Sequence, residues 1–217
     1  MQANTKKLTA AGLLCAFAYI VMLMSKLIPE VAGFLQLDLK DVIIVVGGFV
    51  LGPVYALIIS VVVSIIEMLT VSNTGPIGML MNIISTAAFC CTASFIYSRK
   101  RSFKVAVASL AMGAIVLTLV MLLWNYYITP LYMKVPREVV ASMLLPVFLP
   151  FNLVKGFING ALTLILYRPL VKSLSKAGLI KSYTASSNGN LLSPAVVIGG
   201  SVLVICIPAL LFLMGII

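Results

Sequence analysis

Residues 41–70, DVIIVVGGFVLGPVYALIISVVVSIIEMLT, decide how this chain folds. They are apolar almost throughout, yet about 20 residues suffice to cross the hydrocarbon of a bilayer. Thirty residues are too many for one straight span. The interruptions fall at Gly47-Gly48 and at Gly52-Pro53, where helices most readily break. The segment therefore reads as a short helix from Asp41 to Leu51, a turn at Gly52-Pro53, and a second helix from Val54 to about Thr70. A helix too short to cross alone must be shielded by its neighbours, which suggests that it lines something.

Working outward, runs long enough to span occur at 8–28, 77–97, 103–129, 146–168 and 193–217. Of the 217 residues, 62% are hydrophobic and 9% charged, a composition of polytopic membrane proteins that leaves no room for a separate soluble catalytic domain. The N-terminal run lacks a small-residue cleavage site after a short apolar core and is read as the first span. The expected fold is all-α: a six-helix membrane bundle with a seventh, C-terminal transmembrane helix. It divides into a substrate-binding domain at 1–172, a polar cytoplasmic linker at 173–192 that ends in the flexible stretch Tyr183 to Asn190, and an added hydrophobic helix at 193–217.

The formal charge of +10 invites a nucleic-acid reading, but the cations are sorted by membrane side. Lys6, Lys7, Arg99, Lys100, Arg101, Lys104, Arg168, Lys172, Lys176 and Lys181 occupy alternate inter-span positions. That is the positive-inside pattern, and it places the N-terminus in the cytoplasm. Glu30, Asp38, Asp41, Glu67 and Glu138 then fall at or near the outer side. Charge here reports topology and asks for no polyanionic partner.

Cys15, Cys90, Cys91 and Cys206 lie in apolar runs without CxxC spacing and read as small buried hydrophobes, with neither a disulfide nor a metal site. Histidine is absent, which removes the commonest general base and metal ligand.

The chemistry concentrates in Pro150-Phe151-Asn152-Leu153-Val154-Lys155-Gly156. A lysine at the centre of a membrane helix costs about 2.5–3.5 kcal/mol on translocon scales, so it marks a functional site by default. Asn152 and Lys155 are three apart and share a helix face. The plainer alternative is that Lys155 snorkels to a headgroup while Asn152 caps a helix. Depth favours a site. Glu67 stands roughly 20 Å above the Gly52-Pro53 turn and Asn125 roughly 33 Å from the inner end of its span, at 1.5 Å per residue. Asn82 lies one or two turns into its span from the outside, and Asp38 and Asp41 immediately precede or open the short helix.

Such convergence suits a pocket of a few placed polar groups in an apolar, aromatic-lined cavity. Trp124, Tyr126, Tyr127, Phe148 and Phe151 offer flat surfaces, although Tyr127 and Phe148 read better as an interfacial aromatic belt. Asn125, beside Trp124, presents donors and an acceptor suited to the edge of a heterocycle. Glu67 either contacts the ligand or neutralises Lys155 as a buried pair. In the first span, Ala11/Cys15 and Gly12/Ala16 form two small-xxx-small pairs, a strip for close helix packing either inside the bundle or against a partner.

Several of these stretches together resemble the riboflavin-specific S components, of RibU type, of energy-coupling factor (ECF) transporters. They are Leu37-Asp38-Leu39-Lys40-Asp41, Gly47-Gly48-Phe49-Val50-Leu51-Gly52-Pro53, Thr74-Gly75-Pro76-Ile77-Gly78 leading to Asn82, Asn125-Tyr126, and Leu149 through Gly156. The likeness spans roughly residues 8–172. It implies a six-helix protein of the bacterial cell membrane that captures a vitamin outside. Such a protein works with a transmembrane T component and two cytoplasmic ABC ATPases, and needs no cofactor. By the same likeness, Asn125, Asn152 and Lys155 would contact the isoalloxazine ring, the 29–41 loop would act as a lid, and Ala11, Gly12, Cys15 and Ala16 would meet the T component. Glu67, Asn82, Asp38, Asp41, Trp124 and Gly78 complete the expected substrate site. Riboflavin is the expected ligand, with FMN open. Two departures stand out: Leu39-Lys40 between the aspartates, where a small polar residue is expected, and the seventh span.

Other classes fit less well. Intramembrane proteolysis needs a serine with its base, a zinc site or paired intramembrane aspartates. Asp38 and Asp41 could hold Mg²⁺ on a lipid diphosphate, but two carboxylates are few and Lys40 opposes them. No GxxxxGK[ST] phosphate loop is present, so any ATP must be hydrolysed by a partner. Another vitamin or heterocycle remains the nearer alternative.

Overall fold

The computed structural model describes residues 2–180 and 194–216, and every regular element among them is helical. Helix α1 (Gln2–Ser25) leads through a loop to α2 (Lys40–Leu51), followed by α3 (Pro53–Thr70), α4 (Gly75–Arg99) and α5 (Phe103–Tyr127). Two short helices, α6 (Thr129–Met133) and α7 (Arg137–Met143), precede a π-helical turn at Leu144–Phe148, then α8 (Leu149–Lys176) and α9 (Pro194–Leu213). The expected break in 41–70 is present, and the two helices begin one residue earlier than read. The 130–145 stretch, between the expected spans 103–129 and 146–168, carries most of α6, all of α7 and the start of the π-turn. The expected linker 183–190 lies outside the described residues.

The two breaking glycines have separate reasons. Gly52 joins α2 to α3 at φ +110, a backbone region that side chains rarely tolerate, and Pro53 opens α3 where no helical N–H is needed. Gly48 is a close approach: a Cβ there would lie 2.0 Å from Ser94 Oγ and 2.9 Å from the Ala56 methyl.

Helix α2 is the centre of the bundle. Its 12 residues reach about 18 Å, short of a bilayer's hydrocarbon. Residues Lys40 through Phe49 are all buried, and α1, α3, α4 and α8 pack around them. The main core, including Leu14, Ile44, Ile59, Phe89 and Leu117, surrounds this helix. The many exposed Leu, Ile and Val side chains of the outer helices suit a lipid-facing surface, and among the described residues six helices are long and apolar enough to cross.

Helix α9 lies antiparallel along α8. A Cβ on Gly199 would meet the Ala161 carbonyl at 2.8 Å, while Cys206 and Leu210, further along α9, join Phe151 and Ile158 nearer the start of α8. Val31 and Leu37 of the α1–α2 loop belong to the same apolar cluster. That loop is pinned by a Val31–Leu35 bridge and by the Leu39 N–H, which donates to Ser25 Oγ at 3.0 Å.

Candidate substrate site

The polar residues gather at the end of the bundle where the α1–α2 loop packs. Helix α2 begins there, so Lys40 and Asp41 enter the core in its first turn. Lys40 is 1% exposed and its ammonium donates to Glu67 Oε2 at 2.9 Å and to Asp38 Oδ2. Glu67, near the end of α3, also receives Lys26 Nζ on Oε1 at 3.1 Å and Asn82 Nδ2 on Oε2 at 3.0 Å. Lys26 in turn donates to Gln36 Oε1 at 2.9 Å. These bonds link the loop to α2, α3 and α4. A charge so deeply buried is tolerable only when paired and hydrogen-bonded, a condition that Lys40 and Glu67 both satisfy.

This arrangement corrects one sequence reading. Glu67 is paired with Lys40 and Lys26, not with Lys155. Lys40, taken from the sequence as an obstacle between two aspartates, is instead the counter-ion of Asp38 and Glu67. The two flanking aspartates hid it from the rule that marked Lys155.

Lys155, on α8, is 8% exposed and donates to Ser85 Oγ of α4 at 3.4 Å. Asp38 and Asp41 both lie within electrostatic reach of its ammonium. Asp41 Oδ1 accepts the Thr86 hydroxyl at 2.7 Å. Lys155 therefore lies inside the protein and does not snorkel to a headgroup.

Asn125 and Asn152 are both 3% exposed. Each amide donates back along the chain, Asn125 Nδ2 to Met121 O at 2.7 Å and Asn152 Nδ2 to Phe148 O at 2.8 Å. Asn125 Oδ1 accepts from Thr129 at 2.8 Å. Asn152 is thus no helix cap but a buried amide inside α8.

The remaining expected residues divide. Trp124 is half-buried against the core. Gly78 is buried at the start of α4, where Thr74 Oγ1 occupies the space a Cβ would need. Phe148 is fully buried, edge-on to Phe34 of the loop at 5.8 Å, and so is not part of an interfacial belt. Tyr127 is 54% exposed, as a belt residue would be. The small-residue strip of α1 splits: Ala11 is buried, Cys15 is half-buried, and Gly12 and Ala16 face outward, with no atom within 4 Å of a Cβ built on Gly12.

Asn159 escaped the sequence reading. It is fully buried, and its Nδ2 donates to Asp38 O at 3.0 Å and Lys155 O at 3.1 Å. The available signal was its spacing, four residues after Lys155 on the same face as Asn152. A cavity of about 150 Å³ lies at the opposite end of the bundle, lined by Phe49, Tyr97, Phe103, Tyr167 and Arg168. It touches none of the polar groups above, and convergent chemistry locates the site better than empty space does.

A buried polar group reached from several helices, under a packed loop, in an all-helical membrane bundle, defines a small-molecule carrier subunit. Residues 6–167 match the family described as "ECF transporter, substrate-specific component", and the chain belongs to that family. It is 32% identical to the riboflavin transporter RibU of Staphylococcus aureus (strain TCH60) over 182 residues, covering 81% of this chain and 95% of that protein. It is 24% identical to the riboflavin transporter FmnP of Bacillus subtilis (strain 168) over 164 residues, covering 71% of this chain and 86% of that one. A solved chain described under "Structure and mechanism of the S component of a bacterial ECF transporter" superposes with a TM-score of 0.67 at 31% identity, over 79% of this chain and 98% of the other. The family is one of transport subunits, in line with the argument against an enzyme.

Proposed function

We propose that this chain is the riboflavin-binding S component of an ECF-type importer. It captures the vitamin on the outer side and delivers it inward with a T component and two cytoplasmic ABC ATPases. The observation that carries the reading is the 32% identity to a riboflavin transporter over nearly all of that protein's length. The buried polar groups support it. Lys155, Asn125 and Asn152 supply donors and acceptors for a flavin's pyrimidine edge, and the loop 29–41 serves as the lid. The N-terminus is cytoplasmic, which places the basic segments around Arg99–Lys104 and Arg168–Lys176 inside. Gly12 and Ala16, the outward half of the α1 strip, meet the T component.

The site's charges favour riboflavin over FMN. Lys26 and Lys40 are already paired with Glu67 and Asp38, so a phosphate dianion would find two of the three lysines engaged. Titration of the detergent-purified protein with riboflavin, FMN and thiamine, followed by quenching of flavin fluorescence, tests the reading. Saturable quenching at one site per chain, strongest for riboflavin, is expected; no quenching by a folded sample would discard the flavin assignment.

A further inference from the structure

Two buried oxygens at the start of α2 and the middle of α8 accept no hydrogen bond: Asp41 Oδ2 and Asn159 Oδ1. Their residues are 1% and 0% exposed. The orientation of the Asn159 amide is fixed, because Nδ2 donates to two carbonyls, Asp38 O and Lys155 O, which would repel an oxygen in its place. Asp41 is engaged on one side only, by the Thr86 hydroxyl. A buried acceptor without a donor costs the full desolvation of that group, and native interiors keep few of them.

The two oxygens belong to one neighbourhood. Asn159 holds the carbonyl of Asp38, three residues before Asp41. Lys155 lies one turn from Asn159 and within electrostatic reach of Asp41. A metal ion is the wrong occupant beside that ammonium, and among the described residues no three His, Cys, Asp or Glu side chains gather to hold one. A carboxylate oxygen and an amide oxygen call for O–H or N–H donors. On a flavin, the ring edge is mostly acceptor, whereas the ribityl chain carries a hydroxyl on each of its middle carbons.

Resting on the flavin reading, we infer that Asn159 and Asp41 form the floor of the pocket and accept hydrogen bonds from hydroxyl groups of the ligand's polyol chain. The ring then lies against Lys155, Asn152 and Asn125, and the chain reaches one helical turn further along α8.

The test compares riboflavin with lumiflavin, which has the same ring with a methyl group in place of the ribityl chain. Wild-type protein is expected to bind riboflavin more tightly. Asn159→Ala is expected to weaken riboflavin roughly tenfold while leaving lumiflavin within about twofold. If Asn159→Ala does not stay monodisperse, Asn159→Ser, whose hydroxyl can bond back to the Lys155 carbonyl, carries the same expectation. An equal loss for both ligands would make Asn159 a support of the loop through Asp38 and overturn the polyol site, as would no loss for either. Equal wild-type affinities would remove the polyol site and leave the ring reading standing. Failure of the wild type to bind either ligand would remove both.

Discussion

Lys40 is among the largest side chains wholly enclosed by the protein, and its ammonium joins the α1–α2 loop to α3. Removing one partner of a buried ion pair strands the other, at a cost of about 3–5 kcal/mol. Glu67→Gln is therefore expected to lower the thermal unfolding midpoint in detergent markedly. The double variant Lys40→Met/Glu67→Gln is expected to lose less than the sum of the two singles. Strict additivity would show that the two do not act together. For ligand binding, Lys155→Ala and Asn125→Ala are each expected to weaken riboflavin by tenfold or more, on the scale of about 1.5–3 kcal/mol for bonds to charged groups and somewhat less for neutral ones; Asn125→Ala is expected to leave the unfolding midpoint near that of the wild type, and Lys155→Ala to lower it while the protein stays folded. At this scale the sequence was legible at several polar residues that stood alone in apolar runs, though Asn159, equally isolated, was missed. Asn125, Asn152 and Lys155 were read that way, and all three are buried. Lys40 was read only as a cation opposing Mg²⁺ between two aspartates, because its pairing with Glu67 depends on a distant helix. The partner of Glu67 depended on which helices approach each other, which no local pattern encodes.

Among the elements, α2 was read almost to the residue because glycine and proline punctuate it on both the geometric and the chemical side. Gly52→Ala would force a side chain into the φ +110 backbone and is expected to destabilise the protein by about 1–3 kcal/mol, read as a lower unfolding midpoint. An unchanged midpoint would mean that the turn relaxes elsewhere. The segment from Ile128 to Phe148 was not legible. Its helices of five and seven residues are too short for a hydrophobic period to show, and Pro130, Pro136 and Pro146 open or sit within its helical turns without marking where they begin. The π-turn ending at Phe148 is likewise invisible in composition, yet it supplies the carbonyl that receives Asn152.

For the whole molecule, α9 changes how the loop is supported. Cys206 and Leu210 join Val31 and Leu37 in one apolar cluster, so the added helix helps to hold the segment above the polar group. A chain ending at Ile180 keeps the whole region matched by the family, residues 6–167, and is expected to fold. It is also expected to release riboflavin several-fold faster than the full chain in a dilution or competition chase. Equal release rates would confine α9 to packing against α8. The antiparallel course of α9 has a further consequence. On the proposed topology the start of α1 and the end of α8 lie on one side of the bilayer, and α9, long and apolar enough to cross, would carry the polypeptide back. Labels placed before α1 and after α9 would thus answer to reagents on opposite sides of a sealed vesicle, and with the proposed cytoplasmic N-terminus a fusion at the second position would report from the compartment out of which the vitamin is captured.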